Sequence, residues 1–323
     1  MTHKERAAAA LTLQVPDHVP TFELDFQLAE EMFGKPLFPA GLTPADISRM
    51  SRPQKEKTLY EMAQYTAHVY GQLDYSIIPL HHACLFEQPS EDRLPEEFLL
   101  FVKYLRDITE DKVFFTCHGD GTFAIPGGDG MYEFAYRTVD DPDGLKAEAQ
   151  QKADAAIRRN KLLAEAGIEV LILCDDYCYN TGPFLSPAMF REFIQPYLYQ
   201  IIQEAKANGQ FAIKHTDGNI MPILDQLVEC QPHALHSIDP MAGVDIREVK
   251  RLYGDKVCLC GNVHCAAMQT GTEQDVIDSA EYCLTHAKPG GGYIFCTSNV
   301  PFKGMPPERY QLALDVWKRM RDY

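Results

Sequence analysis

A single domain over residues 1–323, folded as a (β/α)8 TIM barrel, is what this sequence predicts. Three observations lead there. Eight short apolar runs recur along the chain, each followed by a helical pattern. The runs are continuously apolar, as expected of strands buried on both faces, and strict alternation of strand and helix implies a parallel sheet. Eight such units in 323 residues fit a closed barrel. The structural rival, an open doubly wound sheet, usually carries a Gly-rich phosphate turn after its first strand. Glu23-Leu24-Asp25-Phe26 has no such turn. No low-complexity linker divides the chain.

In order, Glu5 to Leu11 reads as a short helix, and Val19–Leu24 as the first strand. Thr43-Pro44-Ala45-Asp46 starts a helix, with Thr as N-cap and Pro at the first helical position. Helical periodicity continues from Glu56 to Tyr70. Strand two is Tyr75–Leu80, ending at His81-His82, and a helix follows from about Pro95 to Ile108. Strand three, Val113–Cys117, ends at His118. The stretch from Gly119 to Asp140 then reads as a long Gly-rich loop holding Phe123, Tyr132, Phe134 and Tyr136. Long loops in compact domains are functional or disordered, and four aromatics argue against disorder. Asp141-Pro142 caps an Ala-rich helix running to about Ala166. Strand four, Val170–Cys174, ends at Asp175-Asp176, and Ser186-Pro187 starts the next helix. Strand five is the run from Gln210 to Ile213, followed by Lys214 to Asn219 and a helical pattern near Ile220. Strands six to eight are Ala234–Ile238, Val257–Cys260 and Tyr293–Cys296. Thr272-Glu273-Gln274-Asp275 opens the helix before strand eight with a capping-box pattern, and a last amphipathic helix starts near Pro307.

With 46% hydrophobic residues the chain can bury a large core. A net charge of -16 and a pI of about 5.1 make nucleic acid and anionic membrane surfaces poor partners. The polar start and the lack of an apolar run near roughly 18 residues lead us to expect a cytoplasmic protein. Ten Cys without a CxxC pair then read as thiols, most of them core residues.

The chemistry gathers at the strand ends. Glu23, Asp25, His81, His82, His118, Asp175, Asp176, His215, Asp217, Asp239, Asn262, His264, Cys296, Ser298 and Asn299 all follow apolar runs. In a barrel these ends form one active rim. His215 and Asp217 are two apart on an extended segment and so face one side. With Cys296 they supply imidazole, carboxylate and thiolate, all zinc ligands; three protein ligands and an open position is the catalytic pattern. The alternatives are a core thiol for Cys296 and a hydrogen-bonded structural role for His215. No Gly-x-Ser-x-Gly elbow, P-loop or dinucleotide fingerprint is present. The turn Pro126 to Gly130 is Gly-rich, but Asp129 has the wrong charge for a phosphate.

Several stretches together resemble the uroporphyrinogen decarboxylase superfamily. These are Glu5 to Leu11, Pro16 to Pro20, Leu185-Ser186-Pro187 with Phe190 to Ile194 and Pro196-Tyr197, Cys260-Gly261-Asn262-Val263, and Lys288 to Tyr293. The resemblance covers nearly the whole chain and implies the same barrel fold. The decarboxylases of that superfamily use no metal and carry an Arg-rich segment after the first strand. Here that position reads Glu23 to Glu31, without Arg, and its acids would repel a polycarboxylate substrate. They also tend to have Gly-His near the end of strand eight, where this chain has Ser298-Asn299. The zinc-dependent, corrinoid-linked methyltransferases are the better match. Their motif of His-x-Cys after strand five and Cys after strand eight corresponds to His215-Thr216-Asp217 and Cys296. Asp217 in place of Cys makes a harder site.

The expected activity is methyl transfer between a small methylated substrate, such as a methyl ether or methylamine, and a corrinoid carried by a partner protein. Zn2+ would be held by His215, Asp217 and Cys296. Asp176, His118 and Asp25 are the candidate catalytic groups, and Tyr177, Phe123, Phe134 and Asn299 the candidate substrate contacts. The alternative is a metal-free decarboxylase with an altered substrate.

Overall fold

The computed structural model describes residues 1–80, 92–128 and 130–323. His81, His82 and Asp129 lie outside the described residues. The core of the fold is a curled sheet of seven parallel strands: β1 (Ile77–Pro79), β2 (Phe114–His118), β3 (Val170–Leu173), β6 (Phe211–Thr216), β7 (Ala234–Ser237), β8 (Cys258–Cys260) and β9 (Tyr293–Ile294). Between β3 and β6 lies an antiparallel hairpin of β4 (Cys178–Tyr179) and β5 (Gly182–Pro183), which the sequence does not announce. Spatial order follows chain order along the sheet, with helices between successive strands. No helix among the described residues is long and apolar enough to cross a membrane.

The expected first strand is reduced to a one-residue bridge. Thr21 pairs in parallel with Tyr75, next to β1, and with Phe295, next to β9, so it touches both edges of the sheet. Ser76 N donates to Thr21 O at 2.8 Å, Phe295 N donates to Pro20 O at 2.9 Å, and the Thr21 hydroxyl donates to Phe295 O at 2.7 Å. Pro20 has no N–H to extend the ladder.

Side chains sort by the two-residue period of the strands. Ile77, Phe114, Val170, Ile172, Ile213, Ala234, Cys258, Cys260, Ile294 and Cys296 form an inner cluster with Phe22 and with Ala7, Ala10 and Leu11 of the first helix. Ile78, Phe115, Leu171, Leu173, Leu235, Leu259, Tyr293 and Phe295 belong to a second cluster that extends under the helices. β6 runs further than Gln210 to Ile213: its ladder continues through Lys214, His215 and Thr216.

Helix starts follow the expected caps. Thr43 with Asp46 and Thr272 with Asp275 form capping boxes, and Ser186 accepts from Met189 N. The expected loop Gly119 to Asp140 is a loop only in its first half, because Gly130–Asp140 is a helix. Of its described side chains only Phe134 is buried, while Tyr132 and Tyr136 are exposed. That leaves too little apolar periodicity to distinguish it from a loop by sequence.

Two features hold the strand ends near His215. Glu23, fully buried, accepts from Thr297 N at 3.0 and 3.1 Å and from the Thr297 hydroxyl at 2.5 Å. Gly218, just beyond β6, has φ of +82°; a Cβ there would fall 2.4 Å from Cys178 O and 2.6 Å from Tyr179 O. The β4–β5 hairpin therefore lies directly on this turn, tied by Asn219 N donating to Tyr179 O at 2.9 Å.

Burial, opposed by the Thr297 donors, pushes the Glu23 carboxyl up to about 8. Between its ordinary range and that value the folded protein keeps a proton that the unfolded chain has released, so stability falls as pH rises through this window. Melting temperature should therefore decline from about pH 5 to about pH 8.5, and Glu23→Gln, neutral throughout, should flatten the decline. Parallel curves for the two proteins would remove Glu23 as the cause. Gly218→Ala should cost roughly 1–3 kcal/mol, read as a lowered denaturant midpoint; an unchanged midpoint would mean that the hairpin shifts freely.

Candidate metal centre

The parallel register sets His215 of β6 directly against His236 of β7, and the end of β3 beside Lys214. His215 shares the side of Ile213 and is almost wholly buried. The two imidazoles meet Nδ1 to Nδ1 at 2.7 Å, and His236 Nε2 lies 3.2 Å from the carbonyl oxygen of Thr297. A carbonyl only accepts, so His236 carries its proton on Nε2. Burial pushes His236 down to about 4, so its Nδ1 is a lone pair and the proton between the rings belongs to His215 Nδ1. His215 is likewise held neutral, by burial first and then by His236, Lys214 and His118. Its Nε2 is left as a bare lone pair.

That lone pair faces two carboxylates. Asp176 Oδ1 and Asp217 Oδ1 each lie 3.8 Å from His215 Nε2. The side chains of Asp176 and Asp217 are 43% and 33% exposed against 5% for His215, so the group opens to solvent on its acidic side. Asp217 N donates to Asp176 Oδ1 at 2.9 Å, and Asn299 Nδ2 donates to Asp217 Oδ2 at 2.6 Å. Burial, and next the charge of Asp176, push the Asp217 carboxyl up to about 7. Three acceptors turned toward one point repel unless something positive sits among them: a proton on one carboxylate, or a cation. Ligands at the usual zinc distances in a tetrahedron stand about 3.4 Å apart. The donor atoms of Asp176, His215 and Asp217 all lie within 4.8 Å of one another, so small side-chain movements would suit them to a divalent ion.

A second group, His118, Asp120 and Cys174, also lies within 4.8 Å. Its carboxylate is already committed. Asp120 Oδ1 accepts from the backbone of Cys174 and, at 3.0 Å, of Asp175, and Oδ2 pairs with His118 Nδ1 at 3.0 Å. Burial keeps the Cys174 thiol protonated, well above its ordinary range. This group orients His118 and fits a metal less well. Beneath it, Lys214 is fully buried, donating to Leu173 O at 3.0 Å and Asp175 O at 2.6 Å, with its ammonium 4.0 Å from the centre of the Tyr177 ring.

The remaining expected residues fall elsewhere. Cys296 is fully buried in the inner cluster with Cys258 and Cys260, and it is not gathered with His215 and Asp217. Burial, then Glu23, hold its thiol far above the ordinary range. Asp25 is nearly buried and accepts from Gln27 Nε2 at 2.8 Å. Tyr177 is fully buried, its hydroxyl 2.7 Å from that of Thr122, which also donates to Asp175 at 2.8 Å. Phe123 and Phe134 pack edge to face at 5.1 Å. Asn299 does reach the metal group, through Asp217.

Sequence reading missed His236, Asp120 and Lys214 as contributors. One signal was present: His118-Gly119-Asp120 repeats the His-x-Asp of His215-Thr216-Asp217, two strands apart in the sheet. His236 gave none, since a lone His inside an apolar strand reads as core.

Comparison with known proteins agrees with this architecture. No curated protein sequence matches the chain. Among solved structures, a methyltransferase from Methanosarcina mazei superposes with a TM-score of 0.73 over 99% of both chains at 17% identity. D-psicose 3-epimerase from Clostridium cellulolyticum H10, with D-tagatose, superposes with a TM-score of 0.50 over 80% of this chain and 93% of its own, at 11% identity. At such identities the likeness is one of fold. A family model described as uroporphyrinogen decarboxylase (URO-D) matches residues 123–320. That stretch is more than half of the chain and holds the whole Asp176–His215–Asp217 group, and the protein belongs to the uroporphyrinogen decarboxylase family.

Proposed function

We propose that this protein is a zinc-dependent methyltransferase that moves a methyl group between a small methylated ether or amine and a corrinoid on a partner protein. The observation that carries the reading is the bare Nε2 of His215 facing Asp176 and Asp217. The ligand set proposed is therefore Asp176, His215 and Asp217, all nitrogen and oxygen donors, with Cys296 assigned to the inner core. Such a set suits a hard, Lewis-acidic ion. Bound there, Zn2+ supplies polarisation of the heteroatom that carries the methyl group.

The chain's own residues do the rest. Asn299 steadies Asp217 by its hydrogen bond. Asp120 holds His118 by Nδ1, aiming the other ring nitrogen away from the pair. That placement suits His118 to take or give a proton at the substrate. The corrinoid partner docks over the solvent-open, acidic side of the group. The curled sheet supports a closed (β/α)8 barrel of one domain, with the segment around Thr21 as the eighth stave. The nine free cysteines among the described residues suit the reducing cytoplasm.

A second reading, a metal-free decarboxylase, is favoured by one observation. Asp217, raised to about 7, can hold the proton that would relieve the same repulsion. Elemental analysis separates the two. Protein purified under zinc-replete conditions should carry one equivalent of zinc, lost in His215→Ala and in Asp176→Asn and kept in Cys296→Ser. Absence of stoichiometric zinc in the wild type sinks the metal reading, and loss in a folded Cys296→Ser returns that thiol to the ligand set. Methyl transfer from methyl ethers or methylamines to a reduced corrinoid should fall roughly 100-fold or more in His215→Ala. Full turnover in that variant would take His215 out of the mechanism.

A further inference from the structure

The pair of histidines across β6 and β7 does more than fill space. His236 is 1% exposed, and its ring is fixed on three sides. Its Nε2 donates to Thr297 O at 3.2 Å, its Nδ1 faces His215 Nδ1 at 2.7 Å, and Phe22 lies against it at 6.1 Å between ring centres. The strand register opposes the two residues directly, so the contact is set by the backbone. Thr297 cannot turn its carbonyl away, because its N–H and hydroxyl are both held by Glu23.

For a pair of neutral rings, these contacts leave one consistent proton arrangement. Between two Nδ1 atoms 2.7 Å apart there is room for a single proton. With His236 protonated on Nε2 by its bond to Thr297, that single proton sits on His215. We infer that His236 is a positioning residue: anchored on Thr297, it holds His215 in the Nδ1–H tautomer and so presents the Nε2 lone pair to the space between Asp176 and Asp217. The inference rests on the reading of that space as a metal site. Without the partner at Nδ1, His215 would favour a proton on Nε2, where two carboxylates would accept it, and a cation would then have to displace it. His236 touches neither the carboxylates' side of the ring nor, by this account, the substrate.

The test reads the tautomer directly. Long-range 1H–15N spectra of 15N-labelled, metal-free protein distinguish Nδ1–H from Nε2–H histidines. The two residues are assigned by the signals lost in His215→Ala and His236→Asn. His215 should carry its proton on Nδ1 and His236 on Nε2. In His236→Phe, which removes the acceptor, the His215 signals should move toward the Nε2–H form, and affinity for Zn2+ alone, titrated calorimetrically, should fall ~10–100-fold. His236→Asn places a carbonyl oxygen near the lost Nδ1 and should restore both the tautomer and most of the affinity.

A wild-type spectrum with His215 protonated on Nε2 overturns the inference, and so does His236→Phe with an unchanged tautomer and unchanged Zn2+ affinity. Should His236→Phe fail to fold, the wild-type spectrum and the Asn variant still decide. A wild type that shows the Nδ1–H tautomer but does not bind Zn2+ removes the metal reading and keeps the positioning of His215 by His236. One that binds Zn2+ with the opposite tautomer in the free protein does the reverse.

Discussion

The constraint on which this structure depends is the way Glu23 grips Thr297. The first segment contributes a single bridging residue to each edge of the sheet, through Thr21. Two residues later the chain buries a carboxyl group, and that group takes up both the N–H and the hydroxyl of Thr297. The Thr297 carbonyl is thereby left pointing at His236, which in turn meets His215. The place where the two edges of the sheet approach each other and a candidate metal ligand are thus joined by a short line of hydrogen bonds running from Glu23 to His215. Each member is buried, so each bond is formed away from competing water, where an unmade partner costs most.

Much of the architecture was legible because buried parallel strands must be apolar and their ends need not be. The runs at Val170–Leu173, Phe211–Ile213 and Ala234–Leu235 stand out for the first reason. Asp176, His215 and Asp217 stand out for the second. The caps at Thr43, Ser186 and Thr272 were legible because a side-chain oxygen before a Pro or an acid has one common use. The first strand was overread, since Val19–Leu24 has the composition of a strand, but Pro20 and the turn of Glu23 toward Thr297 confine its pairing to Thr21.

What could not be read was contact across the sheet. Cys296 follows an apolar run just as Asp176 does, yet it is buried in the inner cluster beside Cys258 and Cys260 and is not gathered with Asp176, His215 and Asp217. Composition does not reveal which strand-end residues meet one another across the sheet. His236 acquires a role only from the register that sets it against His215. Asp120 acquires one from the backbone amides of Cys174 and Asp175, which belong to the neighbouring strand end. The helix Gly130–Asp140 escaped notice because its tyrosines face outward and only Phe134 of its described side chains is buried.

The buried Lys214 has a further consequence, for electrical balance. Burial lowers its hold on the ammonium proton below the ordinary range, and the charges of Asp175, Asp120 and Asp176 oppose that loss in part. Its field falls mainly on Asp120 and Asp175, both tied to neighbouring donors. Asp176 and Asp217, once both are ionised, would then stand as two negative charges beside His215, the number that one divalent ion cancels. A centre loaded in that way is close to neutral overall. It would accept an uncharged molecule with little preference of field, and it would offer no surplus positive charge to draw in a polyanion.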